Sequence, residues 1–334
     1  MFSVVIPLYN KGHTIVDTLQ SVLAQDFRDF EVIVVDDGST DDGAEKVGRC
    51  FDDRRIRLIH QENSGEGAAR NHGIDVARYD WIAFLDADDI WLPGYLSEIY
   101  GAIHEFPEAG MFCAGGVSRN PDGSGWLRQS KHCSINRQRV EFFKCPSFFG
   151  NSSSIVVCKK LLPITGNFPV SMPHYADITF FCKFALKTQV VFCPALLMIV
   201  KSGIPGQISS DRRSNTAGIV ESSNLIFSFW NSLHPDEKNP MCLSLIMRNL
   251  RAGFRYSLSH SDYALVGFFL SNTDSRLLQR LTFTEKFLYR RPHVRRIALI
   301  RSRASGLRHR ISRYPSPRFS SDVMKAIADS DRAN

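Results

Sequence analysis

The stretch Trp81-Ile82-Ala83-Phe84-Leu85-Asp86-Ala87-Asp88-Asp89 decides the fold, because five apolar residues end abruptly in a segment with three carboxylates. A short apolar run of this kind predicts a buried parallel strand, apolar on both faces. Ligands of open α/β sheets bind beyond the carboxyl ends of the strands, where Asp86 and Asp88 are expected. Crowded carboxylates repel one another unless a hard divalent cation bridges them, and Mg²⁺ uses one or two carboxylates with substrate phosphates. An acidic loop that only caps the next helix is the alternative.

The N-terminal third alternates between strand and helix patterns. Short apolar runs predict strands, and apolar residues at helical spacing predict a helix between successive strands. The expected strands are 3–7, 31–35, 56–59 and 81–85, and the expected helices are 14–24, 42–51 and 68–77. This alternation predicts right-handed crossovers and an α/β fold, with a mostly parallel sheet flanked by helices.

The remaining sequence is less regular and suggests a second, helical region. Polar residues 119–140 predict a loop or lid, and Pro194 predicts a strand-turn-strand over 190–200. The other expected elements are helices over 94–106 and 178–186 and strands over 111–117 and 153–157. A Ser-, Gly- and Arg-rich boundary near 204–216 precedes helices expected over 217–233, 241–258, 263–270 and 275–289. We therefore expect an α/β domain over 1–215 and a helical C-terminal region over 216–334.

Residues suited to a nucleotide follow the predicted strands. Tyr9 follows the first strand and can stack on a base, while Asp37 follows the second and can accept hydrogen bonds from a ribose or base. Arg70 lies in a helix that begins near Gly65 and Gly67, and a helix N-terminus with an arginine favours anionic groups. Each residue also has a plain structural interpretation: a packing tyrosine, a turn-capping aspartate and a solvated arginine.

Five motifs, in this order, make residues 2–100 resemble the family-2 glycosyltransferases. They are Val4-Val5-Ile6-Pro7-Leu8-Tyr9-Asn10, Glu31-Val32-Ile33-Val34-Val35-Asp36-Asp37-Gly38-Ser39, Asn63-Ser64-Gly65, Ala68-Ala69-Arg70-Asn71 and Phe84-Leu85-Asp86-Ala87-Asp88-Asp89. The resemblance implies a GT-A fold, a nucleoside-diphospho-sugar donor that is often UDP-linked, and Mg²⁺ or Mn²⁺. It also implies nucleotide contacts and metal ligands, with Asp88 the main ligand, Asp86 near ribose and metal, and the nucleotide contacted by Pro7, Tyr9, Asp37 and Arg70. Asp89 is expected to face the sugar or to cap the following turn.

An inverting enzyme of this family needs a general base that takes the proton of the acceptor hydroxyl. The resemblance places this base in a Glu-Asp pair that opens a helix, and Asp177 matches the aspartate. Ala176 stands where glutamate is common, so a catalytically impaired, sugar-nucleotide-binding homologue stays an alternative. Asp177 as a simple helix cap and His174 as the base are also open.

The positive charge of the chain belongs to one segment. The net charge is +7, yet residues 276–318 contain thirteen Lys or Arg and one acidic residue, Glu285. Residues 290–313 predict a basic helix with a modest apolar face, which is typical of binding to an anionic membrane surface. Nucleic acid is a less favoured partner because no aromatic residues are interleaved before Tyr314. A solvated tail that docks on the acidic domain is the third interpretation.

Further features concern the compartment. The eight cysteines contain no Cys-x-x-Cys pair, and Met1 precedes strand-like sequence without a basic-then-apolar leader. Both favour reduced thiols in the cytosol, and the cysteine spacing argues against a zinc site. No apolar run reaches the roughly 20 residues needed to span a bilayer.

We expect a metal-dependent, inverting glycosyltransferase of the hexosyltransferase type, cytoplasmic or peripheral on the inner face of the plasma membrane. Its expected acceptor is a saccharide or lipid-linked hydroxyl in bacterial-type surface-polysaccharide synthesis.

Overall fold

The chain divides into two compact units. The computed structural model describes residues 1–128, 136–144, 151–170, 172, 174–203, 212–259, 268 and 270–280. The described residues of Met1–Val170 and Lys187–Gln207 form the first unit, and those of Ser171–Leu186 and Ile208–Pro315 form the second. Residues 171–186 thus group with the helical part of the chain, while the domain limits expected from sequence stay a prediction.

One mixed sheet dominates the first unit. Within the described residues it has ten strands. Six strands share one direction: Phe2–Leu8 (β1), Phe30–Asp36 (β2), Ile56–His60 (β3), Trp81–Phe84 (β4), Ala109–Arg119 (β6) and Gln189–Lys201 (β10). Four run oppositely: Ile90–Trp91 (β5), Gly125–Arg128 (β7), Gln138–Val140 (β8) and Ile155–Cys158 (β9). The strand order is β3-β2-β1-β4-β9-β6-β10-β5, with β7 beside β6 and β8 beside β10. The expected α/β architecture is confirmed.

The helices follow the predicted pattern closely. Those of the first unit are Ile15–Leu23 (α1), Gly43–Cys50 (α2), Glu66–Asp75 (α3), Tyr95–Glu105 (α4) and the short Leu162–Thr165 (α5). The second unit contains Ala176–Lys187 (α6), Arg212–Ser232 (α7), Pro240–Ser259 (α8) and Ser275–Gln279 (α9). In α1, Ile15, Leu19 and Val22 are fully buried because their spacing places them on one helix face.

The parallel strands at the centre of the sheet form the core. Every residue of β1 and of β2 is buried, as expected for strands covered on both faces. Helix α3 packs very closely on β1: a Cβ atom built on Gly73 would lie 2.4 Å from Cγ1 of Val5. This close approach fixes the distance between α3 and β1.

Two sequence predictions for the less regular half are wrong. Residues 190–200 form one continuous strand rather than a strand-turn-strand, and the β10–β6 register shifts near Pro194. Proline is accommodated because a bulge does not require its missing N–H. Residues 119–140 are not simply a loop, because β7 pairs with β6 after a turn at Asp122-Gly123 and β8 pairs with β10. Gly123 has a φ of +79°, which favours glycine in such a turn.

Several predictions fall beyond the described residues. The basic segment 276–318 is described only as far as residue 280, and the helix expected over 263–270 only at residues 268 and 270. The predicted basic helix over 290–313 lies entirely outside. Within the described helices, none is both long and apolar enough to cross a bilayer.

Candidate active site

Three carboxylates follow β4 and have three different environments. Asp86 Oδ1 accepts a hydrogen bond from Arg70 Nη2 at 2.7 Å, and its side chain is 23% exposed. Asp88 Oδ2 lies 2.6 Å from Lys11 Nζ, and both side chains are less than one fifth exposed. Asp89 is buried and contacts neutral donors. Asp86 and Asp88 therefore each face a counter-charge, whereas Asp89 does not.

Asp89 points into the protein, whereas the resemblance led us to expect that it faces the sugar or caps the following turn. It is 1% exposed, and its Oδ2 accepts hydrogen bonds from Ser153 Oγ at 2.6 Å and Asn151 Nδ2 at 2.5 Å. Burial, followed by the charges of Asp86 and Asp88, raises the pKa of Asp89 to about 8. Its side chain joins the end of β4 to the residues before β9.

Ser153 is the centre of this junction. Its hydroxyl donates to Asp89 and accepts from the backbone N–H of Asp86 at 3.0 Å. Its backbone N–H donates to Asn151 Oδ1 at 2.8 Å, and its carbonyl accepts from Trp91 Nε1 at 2.7 Å. Because Ser153 is completely buried, these bonds fix the position of the Asp86 backbone.

The opposite side of the carboxylate turn is held by α1. The Thr14 and Thr18 hydroxyls donate to the Ala87 carbonyl at 2.8 and 3.0 Å. Thr18 also contacts the Asp89 carbonyl at 3.0 Å. The turn is therefore attached both to β9 and to the helix that follows Lys11.

Arg70 is buried beside Asp86. Its side chain is 2% exposed, and Nη2 donates to Asp86 and to Glu66 Oε1, the latter at 2.5 Å. The guanidinium also lies over the Phe168 ring, 5.3 Å from its centroid. Helix α3 begins earlier than predicted, after Gly65 with a φ of +88°, which places Arg70 in its second turn. The arginine thus orients Asp86, and its contact with a nucleotide stays a prediction.

Asp37 organises the start of α3. Its Oδ1 accepts from Gln61 Nε2 at 2.7 Å and from the Ser64 N–H at 2.9 Å, while Oδ2 accepts from the Gly65 N–H at 2.9 Å. Asp36, the last residue of β2, accepts from the Ser39 N–H and lies 2.9 Å from His60 Nδ1. The second strand end is therefore connected to the third.

Pro7 and Tyr9 lie at the end of β1. Pro7 is buried in the strand, whereas Tyr9 is 47% exposed, which leaves its ring accessible for stacking. Asn10 follows with a φ of +52°, and its side-chain oxygen accepts from the Thr40 N–H at 2.8 Å. The loop after β1 is thereby fixed to the loop after β2.

Asp177 opens α6 in the second unit. Its Oδ1 accepts from the N–H of Ile178 at 2.7 Å, and Ala176 before it is 8% exposed. Tyr175 has a φ of +64°, an uncommon conformation for a bulky residue. Its carbonyl accepts from the Thr179 N–H and hydroxyl, so the helix start is well fixed.

The site includes residues that sequence reasoning missed. Lys11 directly follows the Tyr9-Asn10 motif, so the sequence indicates that it lies near the site. The sequence does not indicate that Lys11 pairs with Asp88. Ser153 and Asn151 had no such signal, because they are more than sixty residues from the acidic motif they contact.

Asp86 and Asp88 each carry hard oxygen donors of the kind that a divalent cation takes. Among the described residues, no group of three or more His, Cys, Asp or Glu is arranged to hold a metal by protein ligands alone. Two carboxylates are nevertheless the hard oxygen ligands that Mg²⁺ takes together with substrate phosphates. The Lys11 ammonium at Asp88 shows that positive charge is stabilised there. The residues therefore fit a cation that arrives with a diphosphate.

Comparison with protein families identifies the N-terminal part. Residues 3–160 match the model of Glycosyl transferase family 2, and this part of the chain belongs to that family. The amylovoran biosynthesis glycosyltransferase AmsB of Erwinia amylovora is 45% identical over 96 residues, 27% of this chain and 31% of AmsB. The first curated relatives are matched over only 13% to 36% of their own lengths.

Solved structures agree on the fold. Residues 1–349 of TarS from S. aureus, in complex with UDP-GlcNAc, superimpose with a TM-score of 0.68 at 21% identity, covering 83% of this chain and 82% of that one. The mannosyltransferase PcManGT from Pyrobaculum calidifontis, with GDP-Man and Mn²⁺, gives 0.56 at 15% identity, covering 86% and 77%. The expected GT-A type of α/β fold is confirmed.

Proposed function

We propose that this protein is an inverting glycosyltransferase that moves a sugar from a nucleoside-diphosphate sugar to an acceptor hydroxyl. The observation that carries the proposal is the pair of carboxylates after β4, Asp86 and Asp88, each positioned beside a basic side chain at the carboxyl edge of the sheet. UDP is the favoured nucleotide, because the TarS complex holds UDP-GlcNAc. Family membership of residues 3–160 supports the reaction class.

The proposed reaction breaks the bond between the anomeric carbon and the diphosphate oxygen while the acceptor oxygen attacks the opposite face. The proton of the acceptor hydroxyl passes to a carboxylate, which we assign to Asp177. Asp86 and Asp88 would hold Mg²⁺ or Mn²⁺, which would offset the negative charge that develops on the leaving diphosphate. Arg70 holds Asp86 in place, while Tyr9 and Asp37 are the proposed nucleotide contacts along with Pro7.

The test is donor turnover by the full chain. UDP release would be measured with a panel of UDP-sugars and saccharide acceptors, with Mn²⁺ and with EDTA. We expect metal-dependent release with at least one pair and a loss of about a hundredfold or more in Asp88→Asn. Asp80→Asn is the control, because Asp80 pairs with Lys160 in an exposed position before β4. Equal release by both variants, or release unaffected by EDTA, would contradict the proposal.

We further propose a lipid-linked or saccharide acceptor in surface-polysaccharide synthesis and peripheral attachment to an anionic membrane. The name of AmsB supports the pathway class. The basic segment 276–318 supports the attachment, since each Lys or Arg near an anionic surface contributes about 1 kcal/mol.

A further inference from the structure

We propose that Lys11 is a built-in counter-cation of the donor site, which neutralises Asp88 before the donor binds and passes to the donor diphosphate when a divalent cation takes its place. This inference rests on the proposed function and adds a residue and an order of events to it. The observation is the ion pair of Lys11 Nζ with Asp88 Oδ2 at 2.6 Å, with side chains 16% and 13% exposed.

The backbone around Lys11 is held on several sides, so the pairing does not depend on a loose surface loop. Asn10, with its positive φ, is bound to the loop after β2, and the N–H of Gly12 donates to Asp41 Oδ2 at 2.8 Å. The Lys11 carbonyl accepts the N–H groups of Thr14 and Ile15, both at 3.0 Å. The ammonium can therefore move only by rotation of its side chain.

The carboxylate end of the pair is equally fixed. The Thr14 hydroxyl, one turn beyond Lys11, donates to the carbonyl of Ala87, which is adjacent to Asp88. Lysine and aspartate are thus presented to each other by the same set of hydrogen bonds. A chance surface pair would lack such a frame, because exposed long side chains lose much of the attraction to conformational entropy.

The Lys11 ammonium and a divalent cation compete for the Asp88 carboxylate because both are positively charged. An ammonium and a divalent cation cannot both lie against the same carboxylate oxygen without strong repulsion, so metal binding must displace Lys11. A lysine ammonium is a compact point charge on a flexible stem and is a common phosphate ligand. Displaced from Asp88, it can approach the diphosphate that arrives with the metal. Lys11 should therefore weaken metal binding without donor and strengthen diphosphate binding.

The test separates these two effects in the full-length protein. Mn²⁺ binding without nucleotide would be measured by electron paramagnetic resonance, and UDP binding at saturating Mn²⁺ by calorimetry. In Lys11→Met we expect Mn²⁺ to bind roughly tenfold more tightly and UDP roughly tenfold more weakly than in wild type. Lys11→Arg, which retains the charge, should show neither change to that extent.

Lys160→Met is the matched control, since the exposed Lys160 ammonium also pairs with one carboxylate, Asp80, which precedes the amino-terminal end of β4 rather than following its carboxyl end. It should leave both affinities unchanged, and thermal melting would confirm that all variants are folded. Unchanged or weaker Mn²⁺ binding in Lys11→Met, while wild type binds Mn²⁺, overturns the inference alone. If no variant binds Mn²⁺ even with UDP, both the inference and the metal dependence in the proposed function fail.

Discussion

The individual carboxylates of the site differ in how their charge is balanced. Asp86 and Asp88 face Arg70 and Lys11, whereas Asp89 is surrounded by hydroxyl and amide donors. Three acidic residues within four positions can share a small volume only when such partners are present, because like charges repel strongly in a buried environment. The carboxylates of the acidic motif therefore differ in role: Asp86 and Asp88 remain partly exposed, whereas Asp89 is buried and holds the turn in place.

Ser153 offers the sharpest test of that structural role. Ser153→Ala should weaken donor binding and lower the free energy of unfolding by about 1–3 kcal/mol, because it removes partners of Asp89 and of the Asp86 N–H. The donor KM and chemical denaturation would be measured. Ser154→Ala is the control, because its buried hydroxyl donates to the nearby Asn151 carbonyl at 3.0 Å rather than to Asp89. A donor KM raised equally in both variants would refute the positioning role.

Asp177 is the proposed general base. Asp177→Asn should reduce sugar transfer by about 10²- to 10⁴-fold while leaving UDP binding within about twofold, because the amide cannot accept the proton. Transfer kinetics and calorimetric UDP binding check this. Asp236→Asn, an exposed carboxylate in the second unit, should behave as wild type. Full activity in Asp177→Asn would direct attention to His174→Gln.

Among the secondary-structure elements, α3 is the one that most directly connects the core to the site. It carries Arg70, its start is bonded to Asp37, and Gly73 lies against Val5 of β1. The helix position therefore depends on a contact that leaves no room for a side chain. Any shift of α3 away from β1 would move Arg70 relative to Asp86.

A pair of glycine substitutions tests this packing. Gly73→Ala should lower the free energy of unfolding by about 1–3 kcal/mol, since its methyl group would overlap Val5. Gly48→Ala in α2 should instead raise it by about 0.5–1 kcal/mol, because nothing lies within 4 Å of the new Cβ and alanine favours helix. Urea unfolding of both variants is the measurement. A gain in stability for Gly73→Ala would show that the helix can move away freely.

The loop before β3 contributes a pH-dependent ion pair. Hydrogen bonds that Arg55 donates to the Asp53 carboxylate lower the pKa of Asp53 from 3.8 to about 2. Because the folded pKa lies below the unfolded one, the stabilisation is complete above about pH 4 and is lost as the pH falls toward 2. Asp53→Asn should therefore cost up to about 1 kcal/mol at pH 7 and only a small part of that at pH 2, where the folded carboxyl is half protonated. Unfolding at both pH values, with exposed Asp52→Asn as control, would detect this; an undiminished difference at pH 2 would contradict it.

For the whole molecule, the separation of charge is the main feature. The acidic motifs of the N-terminal part and the thirteen basic residues of 276–318 lie far apart in sequence. A donor diphosphate and an anionic membrane would then bind different parts of the chain. This division suits an enzyme that transfers sugar to an acceptor at a membrane surface.

The membrane proposal predicts salt-sensitive binding to vesicles of anionic lipid. Removing three charges in the segment should weaken binding by roughly a hundredfold, since each contributes about 1 kcal/mol; the substitutions are Arg295→Gln, Arg296→Gln and Arg301→Gln. The control removes three exposed charges of the first unit and should leave binding unchanged: Arg49→Gln, Arg78→Gln and Lys160→Gln. Sedimentation with vesicles at two salt concentrations is the measurement. Binding to nucleic acid but not to vesicles would favour the alternative partner.

The sequence alone determined the first four strands, their intervening helices and the family motifs at their ends. These features depend on local spacing: apolar runs for buried strands, helical periodicity for the helix faces, and polar residues where each strand ends. The prediction weakened after residue 106, where strands pair antiparallel and insert between distant neighbours. Strand β9 is the clearest example, because it runs against both β4 and β6.

Only the tertiary structure decided which side chains meet. Lys11 and Asp88 are 77 residues apart, and Ser153 is 64 residues from Asp89, yet both pairs are within hydrogen-bonding distance. It also showed that Asp89 and Arg70 are buried. From the sequence, Arg70 was expected to contact the nucleotide, and Asp89 to face the sugar or cap a turn. Such contacts arise from how the sheet brings remote strand ends together, and local residue spacing carries no information about them.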